Sequence, residues 1–204
     1  MLNEEVIMSK LQKPKCGIYI HGSRGDFTEE KANELEEFYG IPFFGITYPW
    51  TDVDVSEVML RSHIVEAMKD FSPIIVGNSF GALFAMKFSK EFALPCVLTN
   101  PLVSMEAALI SHEDLGVSKI FWNCCQEYSD SIDKEYEDRL TIVSGDDLID
   151  HSITERLLVG GKFVALPTGT HKFTQYNEVQ DELREFIGTI SVPEISRSSG
   201  GVGR

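Results

Sequence analysis

The stretch Pro73-Ile74-Ile75-Val76-Gly77-Asn78-Ser79-Phe80-Gly81 constrains this chain more than any other. Ile74 to Val76 are β-branched and bounded by Pro73 and Gly77, the pattern of a central strand. From Phe80 to Phe88 the sequence is apolar and rich in helix formers, and the helix is expected to run to about Phe92. The change from strand to helix therefore falls on one residue, Ser79. Gly77 and Gly81 stand two positions to either side, where a side chain would collide with the neighbouring element in so sharp a turn. This G-x-S-x-G arrangement is a nucleophile elbow, which raises a hydroxyl at the carboxyl end of a strand. It also sets the N–H of Phe80 at a helix N-terminus, where a developing negative charge is stabilised. Because Phe80, Leu83, Phe84, Met86 and Phe88 occupy nearly every face of that helix, it is expected to be covered on both sides.

Around this centre the chain alternates between strands and helices. Cys16 to Ile20 reads as a first strand, followed at once by His21-Gly22-Ser23. Asp26 with Glu29 resembles a capping box, and apolar spacing predicts a helix over 27–39. A second strand is expected over 42–48, a helix over 54–70, a fourth strand over 94–101, a fifth over 139–144 and a sixth over 162–166. A short helix is predicted over 152–159, and a last one from about 174 to 190. The interval 102–138 is longer than one crossover needs and reads as a small helical cap. Crossovers of this length imply an α/β fold, a mostly parallel sheet of about six strands with helices on both faces. Residues 1–192 are expected to form one domain, with 193–204 a Ser- and Gly-rich tail that is disordered or added for expression.

In such a sheet, sites form at the carboxyl ends of strands. His21-Gly22-Ser23 follows the first strand, Ser79 the third, Gly145-Asp146-Asp147 the fifth and Gly169-Thr170-His171 the sixth, so all four fall on one edge. A serine hydroxyl is a poor nucleophile at neutral pH; a base must take its proton, and an acceptor must hold that base in the right tautomer. The chain order Ser79, Asp146, His171 supplies nucleophile, orienting acid and base. Asp147 is the alternative acid, and Asp146, Asp147, Asp150 and His151 are together an alternative metal cluster. The backbone N–H groups of Phe80 and Ser23 are the candidate oxyanion donors. His21 is expected to brace its loop by hydrogen bonding and not to titrate in catalysis. Trp50, Phe121 and Trp122 are candidates for an acyl pocket, or plain core residues.

Charge and composition remove other classes. A formal net charge of −14 opposes nucleic acid and anionic membrane surfaces as partners. The first eight residues carry acids where a secretory signal carries bases, and Lys87 interrupts the longest apolar run, so a cytoplasmic protein is expected. Cys16, Cys96, Cys124 and Cys125 lack metal or disulfide spacing, and Cys16 and Cys96 read as small core residues. Neither G-x-x-x-x-G-K nor G-x-G-x-x-G occurs, which weakens a nucleotide-binding reading, and no cofactor is expected.

With these residues in place, the chain resembles the α/β hydrolase superfamily, and within it the small YqiA-like bacterial esterases. The resemblance runs from Ile18-Tyr19-Ile20-His21-Gly22 through Gly77-Asn78-Ser79-Phe80-Gly81, Leu94-Pro95 and Asn100-Pro101 to Ser144-Gly145-Asp146-Asp147-Leu148-Ile149-Asp150 and Gly169-Thr170-His171-Lys172-Phe173. It implies a reduced hydrolase fold and hydrolysis of short-chain carboxylic esters through an acyl-enzyme on Ser79. Ala82, where a further glycine is common, and Arg24 and Asp26 after His21-Gly22 depart from that pattern. The expected partner is a small-molecule ester; a thioester would use the same residues. The contrasting expectation is a non-catalytic binding protein on the same scaffold, against which an intact serine, acid and histidine argue.

Overall fold

The computed structural model describes residues 13–145 and 148–190. Asp146, Asp147 and the tail from residue 193 lie outside the described residues. Six strands, β1 (Lys15–Ile20), β2 (Phe43–Gly45), β3 (Ser72–Asn78), β4 (Cys96–Thr99), β5 (Arg139–Val143) and β6 (Lys162–Ala165), form one sheet in the order β2-β1-β3-β4-β5-β6. Every pairing is parallel. The helices are α1 (Glu29–Tyr39), α2 (Val53–Ala67), α3 (Gly81–Phe92), α4 (Lys119–Ser131), α5 (His151–Leu157) and α6 (Gln180–Thr189).

Alternation along the strands sorts their side chains between two cores. Cys16, Ile18 and Ile20 of β1, Ile75 of β3 and Cys96 and Leu98 of β4 pack with Leu60 and Ile64 of α2, the apolar side chains of α3, and Cys125 of α4. Tyr19, Ile74, Val76, Val97, Leu140 and Ile142 point the other way, against Leu35 and Tyr39 of α1 and Leu183 and Ile187 of α6. Each fully buried Leu or Ile in these cores contributes about 1.5–3 kcal/mol. Helix α3 has almost no exposed side: Gly81 to Met86, Phe88 and Ser89 are all buried, as its apolar circumference predicts.

The departures from expectation lie at element ends. The first helix is capped by Thr28, whose hydroxyl accepts from Lys31 N–H at 3.2 Å, and not by Asp26. The second strand stops at Gly45 because Thr47 and Tyr48 leave the sheet to serve the loops after β1: Thr47 Oγ1 accepts the Phe27 N–H, and the Tyr48 hydroxyl donates to His21 O. The expected helix from residue 174 is a 3₁₀ turn at Tyr176–Glu178 followed by α6, because Val179, at φ −124° and ψ 15°, interrupts helical geometry between them.

From β1, which lies inside the sheet, β2 is laid to one side, and the chain then crosses to β3 on the other and continues outward. The direction of winding thus reverses between β1 and β3, and in open parallel sheets the crevice at such a point is where ligands bind. Both Ser23 and Ser79 emerge there.

Candidate active site

Ser79 is held in the left-handed region at φ 52°, where a residue with a Cβ is strained. Sterics and hydrogen bonds over-determine this conformation. A Cβ on Gly81 would lie 2.3 Å from Ile20 O, and one on Gly77 would lie 2.6 Å from Ala85 Cβ, so both flanking positions exclude any side chain. Ser79 N–H donates to Thr99 O at 3.1 Å, while Ser79 O accepts from Leu102 N–H at 3.0 Å and Ala82 N–H at 3.1 Å. Asn78 Nδ2 adds bonds to Thr99 O and Oγ1 at 3.1 and 2.9 Å. The elbow is therefore pinned to the end of β4.

The loop after β6 brings His171 over this serine. His171 Nε2 lies 2.8 Å from Ser79 Oγ, across 92 residues of sequence. Phe173, fully buried, anchors the loop against Tyr176 at a centroid distance of 5.0 Å. Asp146 lies outside the described residues, but its neighbour Gly145 does not: a Cβ on Gly145 would stand 3.4 Å from Gly169 N and from Thr168 Cα. The chain leaving β5 thus runs directly beside the loop that carries His171.

The β1 loop approaches from the opposite side. A Cβ on Gly22 would lie 2.9 Å from Ser79 Cβ, so only glycine lets this loop reach the elbow, and Ser23 lines the cleft next to Ser79 and His171. Phe80 opens α3, which has no side-chain N-cap, whereas Thr28, Asp52, Ser118 and Asp150 cap α1, α2, α4 and α5. In the first turn of α3, Ala82 N–H donates to Ser79 O and Leu83 N–H to Phe80 O at 3.2 Å, and Phe80, the residue ahead of them, lines the cleft.

His21 is buried beneath the loop, stacked on Tyr48 at 4.1 Å. Its Nδ1 bonds Gly22 O at 2.8 Å and its Nε2 faces Tyr48 N–H at 3.4 Å. A carbonyl only accepts and an amide N–H only donates, so His21 must be the neutral tautomer protonated on Nδ1. Burial lowers its pKa and favours the same state.

Above Ser79 is a cleft of about 60 Å³, walled by Trp50, Phe80, Leu102, Met105, Phe121 and Trp122. Trp50 meets Phe121 edge-on at 5.8 Å and Phe80 at 6.2 Å. The Trp50 and Phe121 rings, candidates from sequence for this role, form one aromatic wall with Phe80. Cys125 also faces the cleft, but burial pushes its thiol up to about 12, so it stays protonated and behaves as a small apolar group. Arg24, at φ 58°, donates to Leu115 O and ties the β1 loop to the chain preceding α4. Among the described residues no group of three or more His, Cys, Asp and Glu is gathered to hold a metal ion, and no helix is long and apolar enough to cross a membrane.

Three contributors escaped the sequence reading. Leu102 and Met105, directly after β4, line the cleft. Asn100 adopts φ 41° and is fully buried. Its signals in the sequence are its place immediately beyond a strand on the reactive edge and the Asn100-Pro101 pair that carries part of the resemblance.

An all-parallel sheet of this order, with a serine elbow after β3 and a histidine after β6, is the α/β hydrolase fold. The chain belongs to UPF0227, described as an uncharacterised protein family, whose model matches residues 17–187. No curated protein matches it in sequence. Solved structures share its fold at low identity. Est1E from Butyrivibrio proteoclasticus is 17% identical with a TM-score of 0.64, over 86% of this chain and 87% of its own. An alpha/beta superfamily hydrolase from Oenococcus oeni PSU-1 is 14% identical with a TM-score of 0.60, over 87% and 93%. The RedJ thioesterase of the prodiginine biosynthetic pathway in Streptomyces coelicolor is 11% identical with a TM-score of 0.55, over 85% and 86%.

Proposed function

We propose that the protein is a serine hydrolase that cleaves a small carboxylic ester. The observation that carries this reading is the 2.8 Å contact between His171 Nε2 and the hydroxyl of a strained, doubly glycine-flanked Ser79. Ser79 Oγ attacks the acyl carbon as His171 Nε2 takes its proton, and the carbonyl oxygen becomes an oxyanion received by the N–H groups of Phe80 and Ser23. Collapse breaks the bond to the leaving oxygen, which departs as the alcohol with the proton from His171. Water then repeats the sequence on the acyl-enzyme and releases the acid. For Nε2 to accept, the other ring nitrogen must carry hydrogen; Asp146 is assigned to hold it, supported by the approach of Gly145 to the histidine loop. The aromatic and aliphatic walls favour an uncharged, apolar acyl group.

Labelling by a fluorophosphonate, followed by intact mass, tests this reading. Wild type is expected to take one adduct, Ser79→Ala none, and His171→Ala only a slow trace. A folded wild type that takes no adduct refutes the catalytic reading. An ester and thioester panel then fixes the leaving group, since sulfur and oxygen esters use the same residues.

A further inference from the structure

The side chain of Asn100 belongs neither to the cleft wall nor to the reacting atoms, yet all its hydrogen-bonding capacity is directed at the reactive edge. Oδ1 accepts from Ser144 N–H at 2.7 Å. The two hydrogens of Nδ2 have three acceptors in reach: Thr170 O at 2.9 Å, Ser144 Oγ at 2.9 Å and, as the longer branch of a shared hydrogen, His171 O at 3.3 Å. Ser144 Oγ lies 3.3 Å from Thr170 O, closing the ring of bonds. The amide orientation is dictated by its partners, because an N–H requires the oxygen and the two carbonyls require the nitrogen. The backbone continues β4 by one step, with Asn100 N–H donating to Ile142 O at 2.9 Å, and then turns into the left-handed region that asparagine tolerates better than most residues.

The preceding residue, Thr99, accepts Ser79 N–H through its carbonyl and the Asn78 amide through both oxygens. One dipeptide at the end of β4 therefore fixes both partners of the Ser79–His171 contact: Thr99 through the elbow backbone, Asn100 through the histidine backbone. We infer that Asn100 is a positioning residue, which sets the height of the His171 loop over Ser79 by holding the carbonyls of Thr170 and His171, with Ser144 as its relay. The inference rests on the hydrolase reading for its kinetic consequence, but not for its geometry.

The test pairs the ¹⁵N shifts of the His171 imidazole, which report hydrogen bonding at Nε2, with the rate of fluorophosphonate labelling in wild type and Asn100→Ala. The expected result is loss of the Nε2 hydrogen-bond signature, a labelling rate lower on the order of 100-fold, the cost of misplacing a reacting group by about 1 Å, and for 4-nitrophenyl butyrate a fall in kcat with KM little changed. A folded Asn100→Ala with unaltered imidazole shifts and labelling rate overturns the inference. Should Asn100→Ala not fold, Ser144→Ala removes only the relay hydroxyl: a labelling rate several-fold lower supports the role, and an unchanged one overturns it. If wild type takes no fluorophosphonate while Asn100→Ala still alters the His171 shifts, the positioning role stands and the hydrolase reading falls.

Discussion

Helix α4 and Phe80, the residue that opens α3, both line the cleft above Ser79, and the two helices are built on opposite terms. Helix α3 is buried on nearly every side, begins with no capping side chain, and follows directly on the elbow. Helix α4 is amphipathic, begins at a Ser118 cap, buries only Cys125 and Ser129, and leaves Ile120 78% exposed. The contrast separates two demands. The left-handed φ of Ser79 persists only because the surrounding close packing enforces it. A cleft wall needs only a few side chains aimed inward, so its helix can rest on the surface. Changes in α3 should therefore cost folding and chemistry together, and changes in α4 should alter substrate preference at little cost in stability.

The severest break of that contrast is Gly81→Ala. Its Cβ would stand 2.3 and 2.4 Å from the carbonyl oxygens of Ile20 and His21, and backbone cannot yield cheaply there. A loss of about 4 kcal/mol or more, or no soluble folded protein, is expected by denaturant melts. Phe84→Ala, a fully buried α3 side chain, should cost about 3–5 kcal/mol. Phe121→Ala, its counterpart on α4, should cost about 1 kcal/mol or less and instead change the acyl-length profile of kcat/KM; an equal stability loss at both sites would dissolve the distinction.

Smaller still is the pH effect of His21. Its folded pKa is lowered by burial, so the unfolded state binds the proton more readily. The stabilisation is complete above the unfolded pKa of about 6.5 and is lost as pH falls below it toward the folded value. Thermal midpoints should decline below pH 6.5, and Gln in place of His21 should flatten that slope. The least effect belongs to Ile120→Lys on the exposed face of α4, expected within about 0.5 kcal/mol of wild type with unchanged kinetics.

The legible parts of this molecule are those encoded by neighbours in sequence. The strand cores, the serine turn and the histidine's place at a strand end follow from local periodicity and glycine spacing. Helix boundaries are less legible: Phe173, Tyr176, Val179 and Leu183 have helical spacing and are all buried, yet the non-helical backbone of Val179 splits the segment into a turn and a helix. Asp26 and Thr28 are both competent caps, and the cap is Thr28, next to Phe27, whose N–H is tied to Thr47 Oγ1. Asn100 was illegible because its partners, Ser144 and Thr170, lie 44 and 70 residues away. No local pattern encodes them.

The shortness of the outermost strands has a consequence for how copies of the chain meet. A parallel sheet ends in two rows of backbone donors and acceptors that invite another strand to join. Here one margin is β2, three residues long, with the Phe27 ring against Gly45, and the other is β6, four residues long, with Lys162 tied to Glu185. Little ladder is left for an incoming chain to extend, and the sheet is guarded against growth into a continuous intermolecular one.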